Sequence, residues 1–263
     1  MSKGKVVAIT SGKGGTGKTV LAINLGSALS LSGNKVVIVD ADIAMADLGL
    51  YLGLEKSPVT LHEVLAGEAS VEQALYDGPG GCQIMPSGLS LSGFSRANPK
   101  RLSNVVEELS RDFEFVLLDC PSGLSKESSI PLSVADEVVI VVNPDLASLA
   151  DALRMKMMSE ALETNVKGVV INRTGVSKTE ISSNEVGSML DLDVLGVIPE
   201  DDEVKKSANL KVPVILKKKD SPASEAQIEL AKKISGKERI EVKAVGSKGS
   251  DEGKSKLRSI LGL

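Results

Sequence analysis

The residues with the clearest chemistry lie in one glycine-rich segment, residues 11–19, which reads Ser-Gly-Lys-Gly-Gly-Thr-Gly-Lys-Thr. It follows an apolar run and precedes a helical pattern, the order that a phosphate-binding loop needs. Its backbone N–H groups and the helix start then face the phosphates, while Lys18 reaches the β- and γ-phosphates and the Thr19 hydroxyl binds Mg²⁺. The predicted nucleotide-binding residues of this loop are Gly12, Lys13, Gly14, Gly15, Thr16, Gly17, Lys18 and Thr19.

Three aspartates follow apolar runs elsewhere in the chain. Asp119 directly follows the apolar run 115–118, the position of a Walker B carboxylate, which holds the Mg²⁺ shell through water. Segment 119–127 is then predicted to be a nucleotide-sensing switch. Asp40 and Asp42 leave a second predicted strand. One of these two carboxylates can position the water that attacks the γ-phosphate. The alternative for this pair is a solvated acidic loop that caps a helix.

The base is predicted to be read by the end of another apolar run, 169–171. Asn172 follows this run, and Gly175 stands where a guanine-specific protein would carry an aspartate. Guanine is therefore disfavoured, while the Asn172 amide can both donate to and accept from adenine. We predict ATP, with Mg²⁺, as the ligand.

The second lysine of the loop, Lys13, gives the deviant form of the phosphate-loop motif, and on it the chain resembles the MinD/ParA family of ATPases. The short amphipathic C-terminal segment resembles most of all the MinD branch of that family. The resemblance implies that Lys13 crosses an ATP-bound dimer interface to the partner's nucleotide. A solvated surface lysine is the alternative. The resemblance also implies that Asp42 positions the attacking water and that Asp40 lies near Mg²⁺. The catalytic set is then Lys13, Lys18 and Asp42, and the metal set is Thr19, Asp40 and Asp119.

The same resemblance extends to the base. Segment 196–201 resembles the second adenine-side loop of the family, which adds Arg173, Pro199 and Glu200 to Asn172 as base-side residues. Asp145 and Asp151 flank the start of a predicted long helix, which the resemblance places near the partner's Lys13. They are equally explained as acids favoured by the helix dipole.

The elements that must position these residues alternate between apolar runs and helical patterns. Continuous Val/Ile/Leu runs separated by helices predict an α/β phosphate-loop NTPase fold, a mostly parallel twisted sheet with helices on both faces. The Ser/Gly-rich stretch through Phe94 is predicted to be a loop, and His62 to be a surface or helix-cap residue. The predicted strands span residues 6–9, 35–39, 82–85, 115–118, 138–142, 166–171 and 194–197.

Composition narrows the class of protein. The chain has 263 residues, a net charge of −4, two cysteines and five aromatic residues (two Tyr, three Phe). With so few aromatic residues, the composition disfavours recognition of single-stranded nucleic acid by base stacking. Cys82 and Cys120 are predicted to be structural thiols. No apolar run approaches the roughly 18 residues of a membrane span, and no signal-peptide pattern opens the chain, which predicts a cytoplasmic protein.

The composition changes after about residue 235. We expect an ATPase domain over 1–235, followed by a flexible linker and a short amphipathic tail over 236–263. Leu257, Ile260 and Leu261 share one helical face flanked by basic residues, so residues 254–263 are predicted to bind the inner face of the cell membrane. A disordered tail, or a short helix packed on its own domain, remains the alternative.

The function that the resemblance implies is a Mg-ATP-dependent dimerising switch with slow, activator-dependent hydrolysis, which cycles on and off the membrane in division-site or polar positioning. The activator or cargo protein is not identified by the sequence. The main alternative is a ParA-like ATPase that binds DNA nonspecifically, although the net negative charge makes nucleic acid an improbable partner. An iron–sulfur scaffold ranks lower because the two cysteines form no paired pattern. Nothing in the sequence suggests the second substrate site of a synthetase.

Overall fold

The computed structural model describes residues 3–237 and Ile240, and its centre is one eight-stranded sheet. The strand order is β3-β4-β2-β5-β1-β6-β7-β8. Only β3 and β4 pair antiparallel among the described residues, and the other neighbouring strands are parallel. The strands are β1 Lys5–Ser11, β2 Val36–Asp40, β3 Tyr76–Asp77, β4 Gln83–Met85, β5 Phe115–Ser122, β6 Glu137–Val142, β7 Asn165–Thr174 and β8 Val194–Pro199.

Helices cover both faces of this sheet. The helices are α1 Lys18–Leu31, α2 Leu48–Leu52, α3 Leu61–Ala66, α4 Leu91–Arg96, α5 Leu102–Asp112, α6 Lys126–Ser133, α7 Leu146–Ala161, α8 Ser183–Leu190, α9 Asp202–Asn209, α10 Val214–Lys217 and α11 Pro222–Ser235. In β1, Val6 and Ala8 pack on the side of α3, α5 and α7, whereas Val7 and Ile9 pack on the side of α1, α10 and α11. Both faces of a central strand are thus buried, which explains the continuous apolar runs. The predicted fold class is confirmed.

The parallel register brings the polar strand ends to one edge of the sheet. Asp119 on β5 lies beside Ile9 of β1 on one side and beside Asp40 of β2 on the other. Strand ends of this kind, at the carboxyl edge of an open α/β sheet, are where ligands bind. The fold therefore gathers the glycine-rich loop and the predicted acidic residues into one region.

One prediction made from the sequence is wrong, and another holds only in part. The Ser/Gly-rich stretch through Phe94 contains helix α4, because the Ser90 side chain caps it by accepting a hydrogen bond from the Gly93 backbone N–H at 2.9 Å. His62 is not a surface residue, since only 1% of it is exposed, but it lies in the first turn of α3, where its N–H donates to the hydroxyl of the N-cap Thr60 at 3.3 Å, as the helix-cap alternative predicts. Helix α3 has six residues, too few for an apolar periodicity to show which face is buried.

The predicted structural thiols are confirmed, since Cys82 and Cys120 are both buried and unbridged among the described residues. Within residues 3–237, no helix is both long and apolar enough to cross a membrane. Helix α11, the last one in the part of the chain that the structure describes, ends at Ser235, next to the predicted domain boundary. The predicted membrane-binding segment 254–263 lies outside the described residues.

Candidate nucleotide site

The phosphate loop connects β1 to α1 and is closed from the side by β7. Gly17 is the N-cap of α1 and has a left-handed backbone with φ of 94°. The Asn172 Nδ2 donates to the Thr16 backbone carbonyl at 2.7 Å, and a Cβ at position 17 would lie 2.4 Å from the same nitrogen. Glycine is therefore required at position 17 both for its backbone conformation and for space.

A cavity of about 400 Å³ opens at the end of this loop. It is lined by the loop, by the segment after β2 and by the segment after β5. A smaller cavity of about 50 Å³ continues from it, and Gly17, Val20 and Arg173 line both. The predicted residues that line one or both cavities are Gly14, Gly15, Gly17, Lys18, Thr19, Asp42, Asp119, Asn172, Arg173, Pro199 and Glu200. We call the larger cavity the phosphate end and the smaller cavity the base end of the site.

Asp119 lies at the floor of the larger cavity and is 2% exposed. Burial raises the pKa of this carboxyl to about 6, against the lowering effects of the Lys18 charge and of a hydrogen bond with Thr19. Its Oδ1 has no hydrogen-bond partner among the described residues. A buried acceptor of this kind, beside a lysine and a hydroxyl, suits a cation bound at the phosphates.

Asp40 lies beneath the cavity rather than in its wall, and it is fully buried. Its carboxylate accepts hydrogen bonds from the backbone N–H groups of Asp42 at 3.3 Å and Leu48 at 3.2 Å. Burial, together with the nearby charges of Asp119 and Asp42, raises the pKa of Asp40 well above its ordinary value. This carboxylate thus organises the loop after β2, and its predicted proximity to Mg²⁺ stays a prediction.

Asp42 lines the larger cavity from that loop. Its Oδ1 accepts from the Met45 backbone N–H at 3.0 Å, which orients the carboxylate. Burial raises the pKa of Asp42, while the Met45 hydrogen bond and the Lys18 charge lower it. The carboxylate is therefore held in the wall of the larger cavity by a backbone hydrogen bond.

The acidic residues of the cavity fit Mg²⁺ only together with phosphate. Among residues 3–237 and Ile240, no group of three or more His, Cys, Asp or Glu side chains could hold a metal ion. Mg²⁺ is commonly held by one or two side chains, by waters and by substrate phosphates. Thr19 and Asp119 match that pattern, and Mg²⁺ there would neutralise phosphate charge.

Lys13 points away from the cavity, toward α7 of its own chain. Its Nζ lies 3.3 Å from both carboxylate oxygens of Asp145, the N-cap of α7. Gly12 packs on the same helix, because a Cβ at position 12 would lie 2.3 Å from the Asp151 Cβ. Thr16, also in the loop, is buried. Gly12, Lys13 and Thr16 are thus the predicted loop residues outside the cavity walls.

At the base end, Arg173 and Glu200 form an ion pair at 3.7 Å, and Lys205 pairs with the same glutamate at 2.6 Å. Further residues that the sequence did not indicate also line this cavity, among them Val204 and Gln227. Gln227 is 2% exposed, and its Oε1 has no hydrogen-bond partner among the described residues. It lies on α11, far from any motif, so no local pattern could have identified it.

Comparisons with known proteins agree with this geometry. The sequence model of one protein family, the CobQ/CobB/MinD/ParA nucleotide binding domain, matches residues 7–214 of this chain. A Methanocaldococcus jannaschii protein, named an uncharacterized ATP-binding protein, is 44% identical over 230 residues, which are 88% of this chain and 87% of that one.

Two solved structures are similar over nearly their full length. The cell division ATPase MinD of Pyrococcus furiosus has a TM-score of 0.86 and 35% identity, covering 89% of this chain and 99% of that one. The septum site-determining protein MinD of Pyrococcus horikoshii, in complex with Mg-ADP, has a TM-score of 0.84 and 34% identity, covering 88% and 95%. The chain belongs to the CobQ/CobB/MinD/ParA nucleotide-binding family and, within it, to the MinD/ParA ATPases.

Proposed function

We propose that the chain is a MinD-type switch, which binds Mg-ATP, closes into a homodimer around two nucleotides, attaches to a membrane and hydrolyses ATP slowly. The observation that carries the proposal is the direction of Lys13. This lysine belongs to the phosphate loop, yet its ammonium lies 3.3 Å from Asp145 and outside its own nucleotide cavity. A cation so placed at the loop's outer side suits contact with the nucleotide of a second copy.

Hydrolysis is assigned to residues around the larger cavity. Lys18 and the loop N–H groups would hold the β- and γ-phosphates, and Asp42 would orient the attacking water. Thr19 and Asp119 would hold Mg²⁺, as the unpartnered Oδ1 of Asp119 supports. Binding of Mg-ADP by the Pyrococcus horikoshii relative supports the same ligand class for this chain.

Adenine is the base that the smaller cavity fits. The Asn172 Nδ2 is already engaged with the Thr16 carbonyl, so its Oδ1 is the atom left to accept a hydrogen bond. The adenine amino group is a donor, whereas guanine carries a carbonyl oxygen at the same place. Arg173, Pro199 and Glu200 would line the base, and Gln227 adds a second buried amide.

Membrane attachment is proposed for residues 254–263. The stretch 236–263 carries seven Lys/Arg and four Asp/Glu, so it is basic within a chain of net charge −4. One short amphipathic segment binds an anionic surface weakly, whereas two segments on one dimer bind far better through effective concentration. Dimerisation by ATP would thus control attachment. An activator or cargo protein would act on the dimer.

Sedimentation with anionic phospholipid vesicles tests the proposal. Full-length protein, a 1–246 truncation and Lys13→Ala are each mixed with vesicles in ATP, ADP or no nucleotide. We expect pelleting of the full-length protein in ATP only, and of neither variant in any condition. Equal pelleting of the full-length protein in all three conditions would remove the membrane switch. Salt-sensitive binding of the 1–246 dimer to DNA would favour a ParA-like activity instead.

A further inference from the structure

The loop that carries Asp42 is held at both ends and exposed at its tip. Ala44 and Met45, at its tip, are exposed, Met45 to 74%. Its ends are held by the Asp40 carboxylate, which accepts from the N–H groups of Asp42 and Leu48, and by Ser87, whose hydroxyl donates to the Asp40 backbone carbonyl at 2.8 Å. The stretch between these ends is held by the Ile43 and Ala46 side chains, each 7% exposed, by the Met45 N–H bond to the Asp42 carboxylate, and by contacts from neighbouring segments.

His62 supplies such a contact. Its Nε2 lies 2.9 Å from the backbone carbonyl of Ile43, the residue directly after Asp42. Because a carbonyl oxygen only accepts, the imidazole must carry its proton on Nε2 and donate it to Ile43. The Nδ1 then has no hydrogen-bond partner among the described residues, although it is buried.

The imidazole is held rigidly at this place. Thr60 and Glu63 form a capping box that begins α3, which carries the ring. On the other side, a Cβ at Gly88 or at Gly93 would lie 2.8 Å or 3.0 Å from the His62 Nδ1. The ring is therefore packed between α3 and two close backbone segments, and the one hydrogen bond that it makes within the described part of the chain joins it to the loop.

We propose that His62 is a positioning residue for ATP hydrolysis, which sets the place of the Asp42 carboxylate through the Ile43 carbonyl. This inference rests on the proposed role of Asp42 in orienting the attacking water. Misplacing such a group by about 1 Å can cost on the order of 100-fold in rate. His62 contributes to turnover and not to ATP affinity, because it lines neither the phosphate end nor the base end of the site.

The test compares His62→Leu, which removes the donor, with His62→Gln, whose Nε2 can still donate. With saturating Mg-ATP, His62→Leu should lower kcat by about 10- to 100-fold. Its ATP dissociation constant, measured by calorimetric titration, should stay within about twofold of wild type, and His62→Gln should keep at least about half the wild-type kcat. A His62→Leu kcat within twofold of wild type would overturn the inference, as would an equal loss in both variants.

Two further measurements separate positioning from general damage. Hydrogen–deuterium exchange of residues 41–48 without nucleotide should be faster in His62→Leu and unchanged in His62→Gln. Tyr76→Phe is the matched control, because it also removes a side-chain donor to a backbone carbonyl, that of Val59 at 2.7 Å, and should keep the wild-type kcat. Unchanged exchange in His62→Leu, or a control that loses as much kcat, would contradict positioning.

The double variant His62→Leu/Asp42→Asn tests the route. If His62 acts through Asp42, the double variant should be no slower than Asp42→Asn alone. Multiplying losses would show that His62 acts by another route. An Asp42→Asn variant with wild-type kcat would instead remove the proposed role of Asp42, and His62 with it. An inactive Asp42→Asn beside a fully active His62→Leu removes only the inference about His62.

Discussion

The buried carboxyl of Asp119 predicts a specific dependence of stability on pH. Its pKa is about 6 in the folded protein, against an ordinary value of 3.8, chiefly because it is buried. Between these pH values the folded protein holds a proton that the unfolded chain has lost. Wild-type stability therefore falls as the pH rises through this range, and Asp119→Asn lacks that loss.

The size of the effect follows from the two pKa values. At about 1.4 kcal/mol for each tenfold change in proton affinity, the raised pKa of Asp119 lowers the free energy of unfolding by about 3 kcal/mol at pH 8, where the carboxyl is ionised in both states. At pH 5, where the folded carboxyl is mostly protonated and the unfolded one mostly ionised, the loss is about half as large. The amide of Asp119→Asn leaves a polar atom without a partner at both pH values, so that penalty cancels in the comparison. The stability of the variant relative to wild type should thus be greater at pH 8 than at pH 5 by on the order of 1 kcal/mol.

Urea unfolding of both proteins at the two pH values, without nucleotide, measures this difference. Removal of the Asp119 charge also lowers the pKa of Asp40, which changes the result in the same direction. The same relative stability at pH 5 and pH 8, or a variant that gains more at pH 5, would refute the burial of an unpaired carboxyl at this site.

Other substitutions test neighbouring parts of the site. Gly17→Ala puts a methyl group 2.4 Å from the Asn172 Nδ2 on a left-handed backbone, so ATP affinity by calorimetric titration should fall at least about tenfold; an unchanged affinity would contradict the closed loop. Asn172→Ala should weaken ATP binding more than GTP binding, and equal weakening would contradict adenine recognition. Asp145→Asn should lower the free energy of unfolding in urea by less than about 1 kcal/mol, because Lys13 and Asp145 are both more than one-third exposed. A larger loss would contradict a weak Lys13–Asp145 ion pair.

Much of the fold could be predicted because its physical causes are local. Strands buried on both faces need continuous apolar runs, and the phosphate loop needs closely spaced glycines before a helix. Helix α4 was missed because its start depends on one capping hydroxyl, Ser90, in a stretch whose composition is typical of a loop. The antiparallel strand β3 has two residues, too few for any pattern.

The site was less predictable where it depends on tertiary contacts. The pair between Lys13 and Asp145 joins residues 132 positions apart, and Gln227 reaches the base end from the last helix. His62 had no recognisable motif, and its importance comes from the carbonyl that it faces. Residue type indicated which side chains can do chemistry, whereas only the packing of strands and helices decides which of them meet.

The central proposal is that Lys13 acts on the nucleotide of a second copy. Size-exclusion chromatography with light scattering, in the presence of a non-hydrolysable ATP analogue and Mg²⁺, tests it most directly. Wild type should elute as a dimer. Lys13→Ala should elute as a monomer while binding the analogue with nearly unchanged affinity. A Lys13→Ala protein that dimerises as fully as wild type at the same analogue concentration would contradict the proposal.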